Sequence, residues 1–184
     1  MADDNHTYLP SGFQRVDGVK NPDVCTSGLT LLNTLPHFAL HTHNVYALLG
    51  LAPGDRVLET GSLLGVDVMG MPQALGSAGR ILGVKRSAHL LSLVKAEREN
   101  GSQSARVRIG DLSRLATADA SFHTVLVDRV LQFVPKPAVA LSEVVRLLQP
   151  SGRLYACDND LHTYDRRGEF RARLTAYAVT GTSL

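Results

Sequence analysis

The stretch Val57-Leu58-Glu59-Thr60-Gly61-Ser62-Leu63-Leu64-Gly65 limits what this chain can fold into more than any other segment. A short apolar run from Arg56 to Leu58 reads as a buried strand that closes on an acidic residue. The chain then turns through glycines toward a helix expected from Val66. Strand, glycine turn and helix in that order form the place where a βαβ fold cradles a nucleotide cofactor. Glycine is needed there because the backbone must turn tightly and approach a ligand with no Cβ in the way. Leu63 stands where the middle glycine belongs. The loop therefore predicts the fold and questions the fold's usual ligand.

The remaining pattern extends this unit. Candidate strands are Arg56–Thr60, Arg80–Lys85, Ala105–Gly110, Phe122–Val127 and Gly152–Cys157. Candidate helices are Val66–Leu75, Ala88–Asn100 and Pro137–Leu148, the first weakened by Gly70 and Pro72. Alternating βα units of this size predict an α/β fold, a Rossmann-like, doubly wound and mostly parallel sheet with helices on both faces. Upstream, residues 1 to 23 are rich in Asp, Asn, Gly and Pro and read as an irregular arm. From Leu29 to Leu49 the apolar spacing is helical, with Pro36 splitting the segment in two. Leu51-Ala52-Pro53-Gly54-Asp55 is the turn into the first strand. The organisation is thus an arm and helical segment over 1–50 and a Rossmann-like domain over 51–184, forming one structural unit.

A chain of 184 residues is long enough to bury one substantial core. With 44% hydrophobic and 20% charged residues it has the composition of a soluble globular protein. Its formal net charge of +2 gives no argument for nucleic acid. Arg166, Arg167, Arg171 and Arg173 cluster, but Asp165 and Glu169 are interleaved, which reads as a solvated helix face. Cys25 and Cys157 lie far apart, in neither metal nor redox spacing, and imply a reduced, cytoplasmic protein. The polar, acidic N-terminus is no signal peptide, and no apolar stretch approaches the roughly 20 residues that span a bilayer. His37 and His41 would share a helix face, with His43 pointing elsewhere. No acidic or Cys ligand adjoins them, so no metal is expected.

Five fragments in order carry a family resemblance. They are Leu51-Ala52-Pro53-Gly54-Asp55-Arg56-Val57-Leu58-Glu59, Gly110-Asp111, Ala118-Asp119-Ala120-Ser121-Phe122, Asp128-Arg129-Val130-Leu131-Gln132 and Leu148-Gln149-Pro150-Ser151-Gly152-Arg153-Leu154. Over about residues 47 to 160 the chain resembles the class I S-adenosylmethionine (SAM) dependent methyltransferases. Within that family it is nearest the small-molecule branch related to quinone biosynthesis. The resemblance implies a cofactor-contacting set of Glu59, Gly61, Ser62, Gly65, Lys85, Asp111 and Asp128, and it assigns no catalytic residue. In the family an acidic residue ending the second strand takes both ribose hydroxyls, and another, matched by Asp111, contacts the adenine amine.

This sequence departs from the family at several points. Lys85 occupies the ribose position, and an ammonium group has no acceptor to offer a diol. It reads either as a strand-end lysine facing solvent or as a change in the pocket. Leu63 either projects toward the methionine part of SAM or is buried by an early helix start. His123 replaces an aspartate in the region expected to face the substrate, and Phe133 stands where many relatives carry a histidine. Asp128 either lines a pocket or caps a turn. After Asp160 only a short helix near Arg166–Arg173 and one strand from Leu174 to Val179 fit, so the family's closing hairpin is expected to be incomplete. An uncovered sheet edge invites pairing with another chain, in a homo- or hetero-oligomer.

SAM binding is accordingly expected to be weak or absent, and the chain to act as a non-methylating partner or regulatory subunit. Two alternatives stand beside it: a working SAM-dependent small-molecule methyltransferase, and a cofactor-independent natural-product cyclase on the same fold. Each takes a small-molecule substrate or a protein partner. A reductase reading of Thr60-Gly61-Ser62-Leu63-Leu64-Gly65, with Lys85-Arg86 on a 2′-phosphate, meets Asp67 at the third glycine position and lacks a Tyr-x-x-x-Lys pair.

Overall fold

The computed structural model describes residues 16–18, 20–23, 26–27, 36–61, 71, 73–98, 105–159 and 174–180. Six strands form one sheet: β1 (Arg56–Thr60), β2 (Arg80–Lys85), β3 (Ala105–Ile109), β4 (Phe122–Asp128), β5 (Leu148–Asn159) and β6 (Leu174–Thr180). Their spatial order is β3-β2-β1-β4-β5-β6. The first five are parallel and β6 runs antiparallel to β5. Three helices are described: α1 (Pro36–Leu49), α2 (Ala88–Arg98) and α3 (Pro137–Leu147). This is the expected doubly wound α/β sheet, with the strand order reversing between β1 and β4.

Strand alternation explains how both faces are covered. Val57, Ile81, Leu126, Tyr155 and Cys157 share one apolar cluster with Val45 and Leu49 of α1 and with Met71 and Leu75. Leu58, Val84, Val125, Val127 and Ala156 point the other way and pack on Ala140, Val144 and Leu147 of α3. Burial on both faces is why the parallel strands read as near-continuous apolar runs.

Proline and serine set the helix starts. Pro36 begins α1 and Pro137 begins α3, where a missing N–H costs nothing. Ser87 caps α2 by accepting the Leu90 N–H at 3.1 Å. β1 and β2 have the expected bounds, whereas β5 starts four residues earlier than its apolar run, at Leu148. The expected helix from Val66, the helix ahead of Pro36 and the helix near Arg166 lie outside the described residues, except that residues 71 and 73–75 are helical. No helix among the described residues is long and apolar enough to cross a membrane.

Leu58 is fully buried at the centre of the sheet. Leu58→Ala should lower unfolding free energy by about 2–5 kcal/mol, measured by urea denaturation, because neighbouring strands prevent collapse of the cavity.

Candidate functional site

The C-terminal ends of β1, β2 and β4 open onto a cleft at the reversal of strand order, the place where open α/β sheets bind ligands. Gly61, directly after β1, sits at φ +109°. An added Cβ there would lie 2.4 Å from the Asp128 carbonyl oxygen and 2.2 Å from a Val130 methyl. Only glycine satisfies both the dihedral and the approach. Gly110, after β3, lines the same cleft, as does Phe133.

The most unusual feature is the charge at the base of this cleft. Glu59 is wholly buried, and Lys85 is 4% exposed with its Nζ 3.7 Å from Glu59 Oε2. Lys85 thus does not face solvent: its ammonium turns inward onto the carboxylate near the end of the neighbouring strand. Lys85 lines the cleft together with Arg86 and Arg129, and no acidic residue does so among the described ones.

Asp128 is also buried. Its Oδ1 lies 3.1 Å from His41 Nε2, and its Oδ2 takes hydrogen bonds from Arg129. Asp128 therefore neither lines the cleft nor caps a turn with its side chain; the residues after it, Arg129 and Val130, form the wall. Asp111 is exposed beside Gly110 and accepts the Ser113 N–H at 2.8 Å. Ser62, Leu63 and Gly65 lie outside the described residues.

His123 requires a correction. It sits at the start of β4, at the opposite end of the sheet from the cleft, where its Nδ1 accepts the Arg56 N–H at 2.9 Å. It ties two strand starts together and faces no substrate.

One contact was invisible in the sequence. Asp17, in a 3-10 turn over Val16–Gly18, accepts hydrogen bonds from Ser87 Oγ (2.5 Å), Ala88 N–H (2.8 Å) and His89 N–H (3.1 Å). The supposedly irregular arm thus returns to close the N-terminus of α2 beside the cleft. A carboxylate already fills the position where a ligand phosphate would bind, which disfavours the reductase reading of Lys85-Arg86. The Ser87 hydroxyl and the backbone donors hold the Asp17 carboxyl below its usual value.

With this geometry in place, comparison with known proteins gives the class. The description "Methyltransferase domain" matches residues 58–156, so the chain belongs to that family, the class I SAM-dependent methyltransferases. It is 28% identical over 116 residues to the arsenite methyltransferase of Halobacterium salinarum, covering 62% of this chain and 30% of that protein. It is 27% identical over 135 residues to the demethylmenaquinone methyltransferase of Staphylococcus aureus, covering 72% and 56%. The chain therefore spans between about a third and just over half the length of these relatives. Among solved structures, the cyclase SpnF aligns with a TM-score of 0.59 at 22% identity, covering 64% of this chain and 43% of that one. A methyltransferase bound to the Trm112 activator of Haloferax volcanii aligns at 0.56 and 21%, covering 64% and 51%. At such identities both show the fold alone.

Two predictions follow from these contacts. Gly61→Ala should cost about 1–3 kcal/mol in urea denaturation, because the left-handed backbone becomes strained and Val130 must move. Asp17→Asn should lower stability by about 0.3–1 kcal/mol at neutral pH, through loss of the negative charge at the N-terminus of α2. A carboxyl held low in the folded state stabilises above its unfolded pKa of about 3.9 and loses that contribution as the pH falls through its folded value. The gap between the two proteins should therefore close in denaturation curves taken at successively lower pH.

Proposed function

We propose that this protein belongs functionally to the non-methylating members of its family. On this reading its cofactor cleft has little or no affinity for SAM, and it serves in the cytoplasm as a partner or regulatory subunit within an oligomer. The observation that carries this reading is the buried Lys85–Glu59 pair. In the family a carboxylate at the end of β2 accepts from both ribose hydroxyls, and an ammonium group, which only donates, cannot replace those bonds. The nearest carboxylate, Glu59, faces that ammonium. Losing charge-assisted hydrogen bonds to the ribose costs about 1.5–3 kcal/mol, or about ten- to a hundredfold in affinity. Arg86 and Arg129 on the same wall add nothing that favours a sulfonium cation. The family also offers a protein-partner precedent in the solved Trm112 complex, although that likeness extends to the fold only.

Titration calorimetry with SAM and with its demethylated product tests this directly. No detectable heat at millimolar ligand is expected. Lys85→Asp, restoring an acceptor, should bring binding into the measurable range if its circular dichroism stays native. Micromolar binding by the unaltered protein would overturn the proposal.

A second reading, a SAM-dependent small-molecule methyltransferase, is favoured by the intact Gly61 geometry and by the named relatives. Bound SAM after purification would support it. The third, cofactor-independent cyclisation, has the SpnF fold as its only support and requires turnover of a small substrate without SAM.

A further inference from the structure

We propose that His41, Asp128 and Cys157 form a binding site for a single divalent cation with the preferences of Zn2+. This inference is independent of whether the cleft binds SAM.

The fold builds the cluster from three separated segments. Asp128 and Cys157 are direct register partners at the ends of β4 and β5. Both follow residues of the α1-covered face by two positions, since Leu126 and Tyr155 belong to that cluster. On α1, His41 stands one turn before Val45 and two before Leu49, all three buried. The helix stripe that packs on the sheet therefore delivers an imidazole onto a carboxylate and a thiol.

Their geometry is close to that of a metal centre. His41 Nε2 and Asp128 Oδ1 are 3.1 Å apart, and the three donor atoms all lie within 4.8 Å of one another. In a tetrahedral zinc site with bonds of about 2.0–2.3 Å, neighbouring donors are separated by roughly 3.3–3.8 Å. The ion would replace the His41–Asp128 hydrogen bond, opening that pair by roughly a few tenths of an ångström while the Cys157 sulfur closes in.

One nitrogen, one oxygen and one sulfur donor suit zinc and disfavour calcium and magnesium, which require oxygen ligands. An outer partner is in place as well. Arg129 holds Asp128 Oδ2, leaving Oδ1 directed toward His41. Such contacts orient ligands in established zinc sites. Three protein donors leave a fourth position for water or for a sulfur or oxygen atom of a small molecule. The site lies immediately behind the cleft wall, because Arg129 and Val130 continue from Asp128.

Cobalt(II) is the probe of choice. Added to metal-free protein under a thiol-free reductant, one equivalent should produce a sulfur-to-cobalt charge-transfer band and the strong visible bands of a tetrahedral ion. One equivalent of Zn2+ should abolish both, and Mg2+ should not. Cys157→Ser should remove the charge-transfer band, and His41→Gln should weaken cobalt affinity at least tenfold, with native circular dichroism required of each variant. If either variant misfolds, the reading is taken from protection of the Cys157 thiol against alkylation by one equivalent of Zn2+ in otherwise unaltered protein carrying Cys25→Ser. Failure of the native protein to show the charge-transfer band overturns the proposal. So does persistence of that band in folded Cys157→Ser, or unprotected alkylation. Cobalt binding without sulfur character would mean surface histidines only and would equally overturn it.

Discussion

A carboxylate buried to zero exposure in the central strand is the constraint around which the cleft is organised. Glu59, the penultimate residue of β1, has parallel neighbours on both sides and no access to water. A charge in that position must be matched by a counter-charge, since an unmatched buried carboxylate costs several kcal/mol or takes up a proton. Lys85, two residues past Gly83, the register partner of Glu59 on β2, supplies the match from 3.7 Å. The pair stabilises the strand ends, and in doing so commits the group at the ribose position to the protein's interior.

The same principle repeats one strand further along. Asp128 ends β4, is buried, and is flanked by Arg129 on one oxygen and His41 on the other. Arg129 holds φ +55°, a left-handed conformation that bends its side chain back toward the preceding carboxylate. Directly afterward the backbone N–H of Arg129 donates to the Cys157 carbonyl at 2.6 Å. Strand ends in this sheet are thus built from carboxylates matched by cations. Lys85 and Arg129, the cationic members, line the cleft, and their acidic partners do not.

The fold was legible because its signals are local. Apolar runs marked β1 and β2, and helical spacing from Ala88 and from Pro137 marked two helices, each through the physics of a few neighbouring residues. The early start of β5 was not legible, since Gln149, Pro150 and Ser151 carry no strand pattern and lie in the register shift between the Phe122–Leu148 and Thr124–Arg153 pairs. Of the residues named from spacing and resemblance, Gly61 and Lys85 line the cleft. What Lys85 does there could not be read, because the choice between solvent and Glu59 is made by packing. His41 and Asp128 are 87 residues apart, and Asp17 is 70 from Ser87. His123 was misplaced for a reason the sequence did contain. A residue one step into a parallel strand lies at the end opposite the ligand edge.

Those two long-range contacts change the meaning of the N-terminal segment. Through His41, α1 is tied to the end of β4; through Asp17, the arm is tied to the start of α2. Both anchor points flank the cleft, one on the β4–β5 side and one on the β2–α2 side. Residues that composition alone would assign to an irregular lead-in are thus part of the cleft's frame. Any ligand or partner that enters the cleft does so within walls that the N-terminal segment helps to hold. The division at residue 50 is therefore one of sequence order, while the cleft depends on both sides of it.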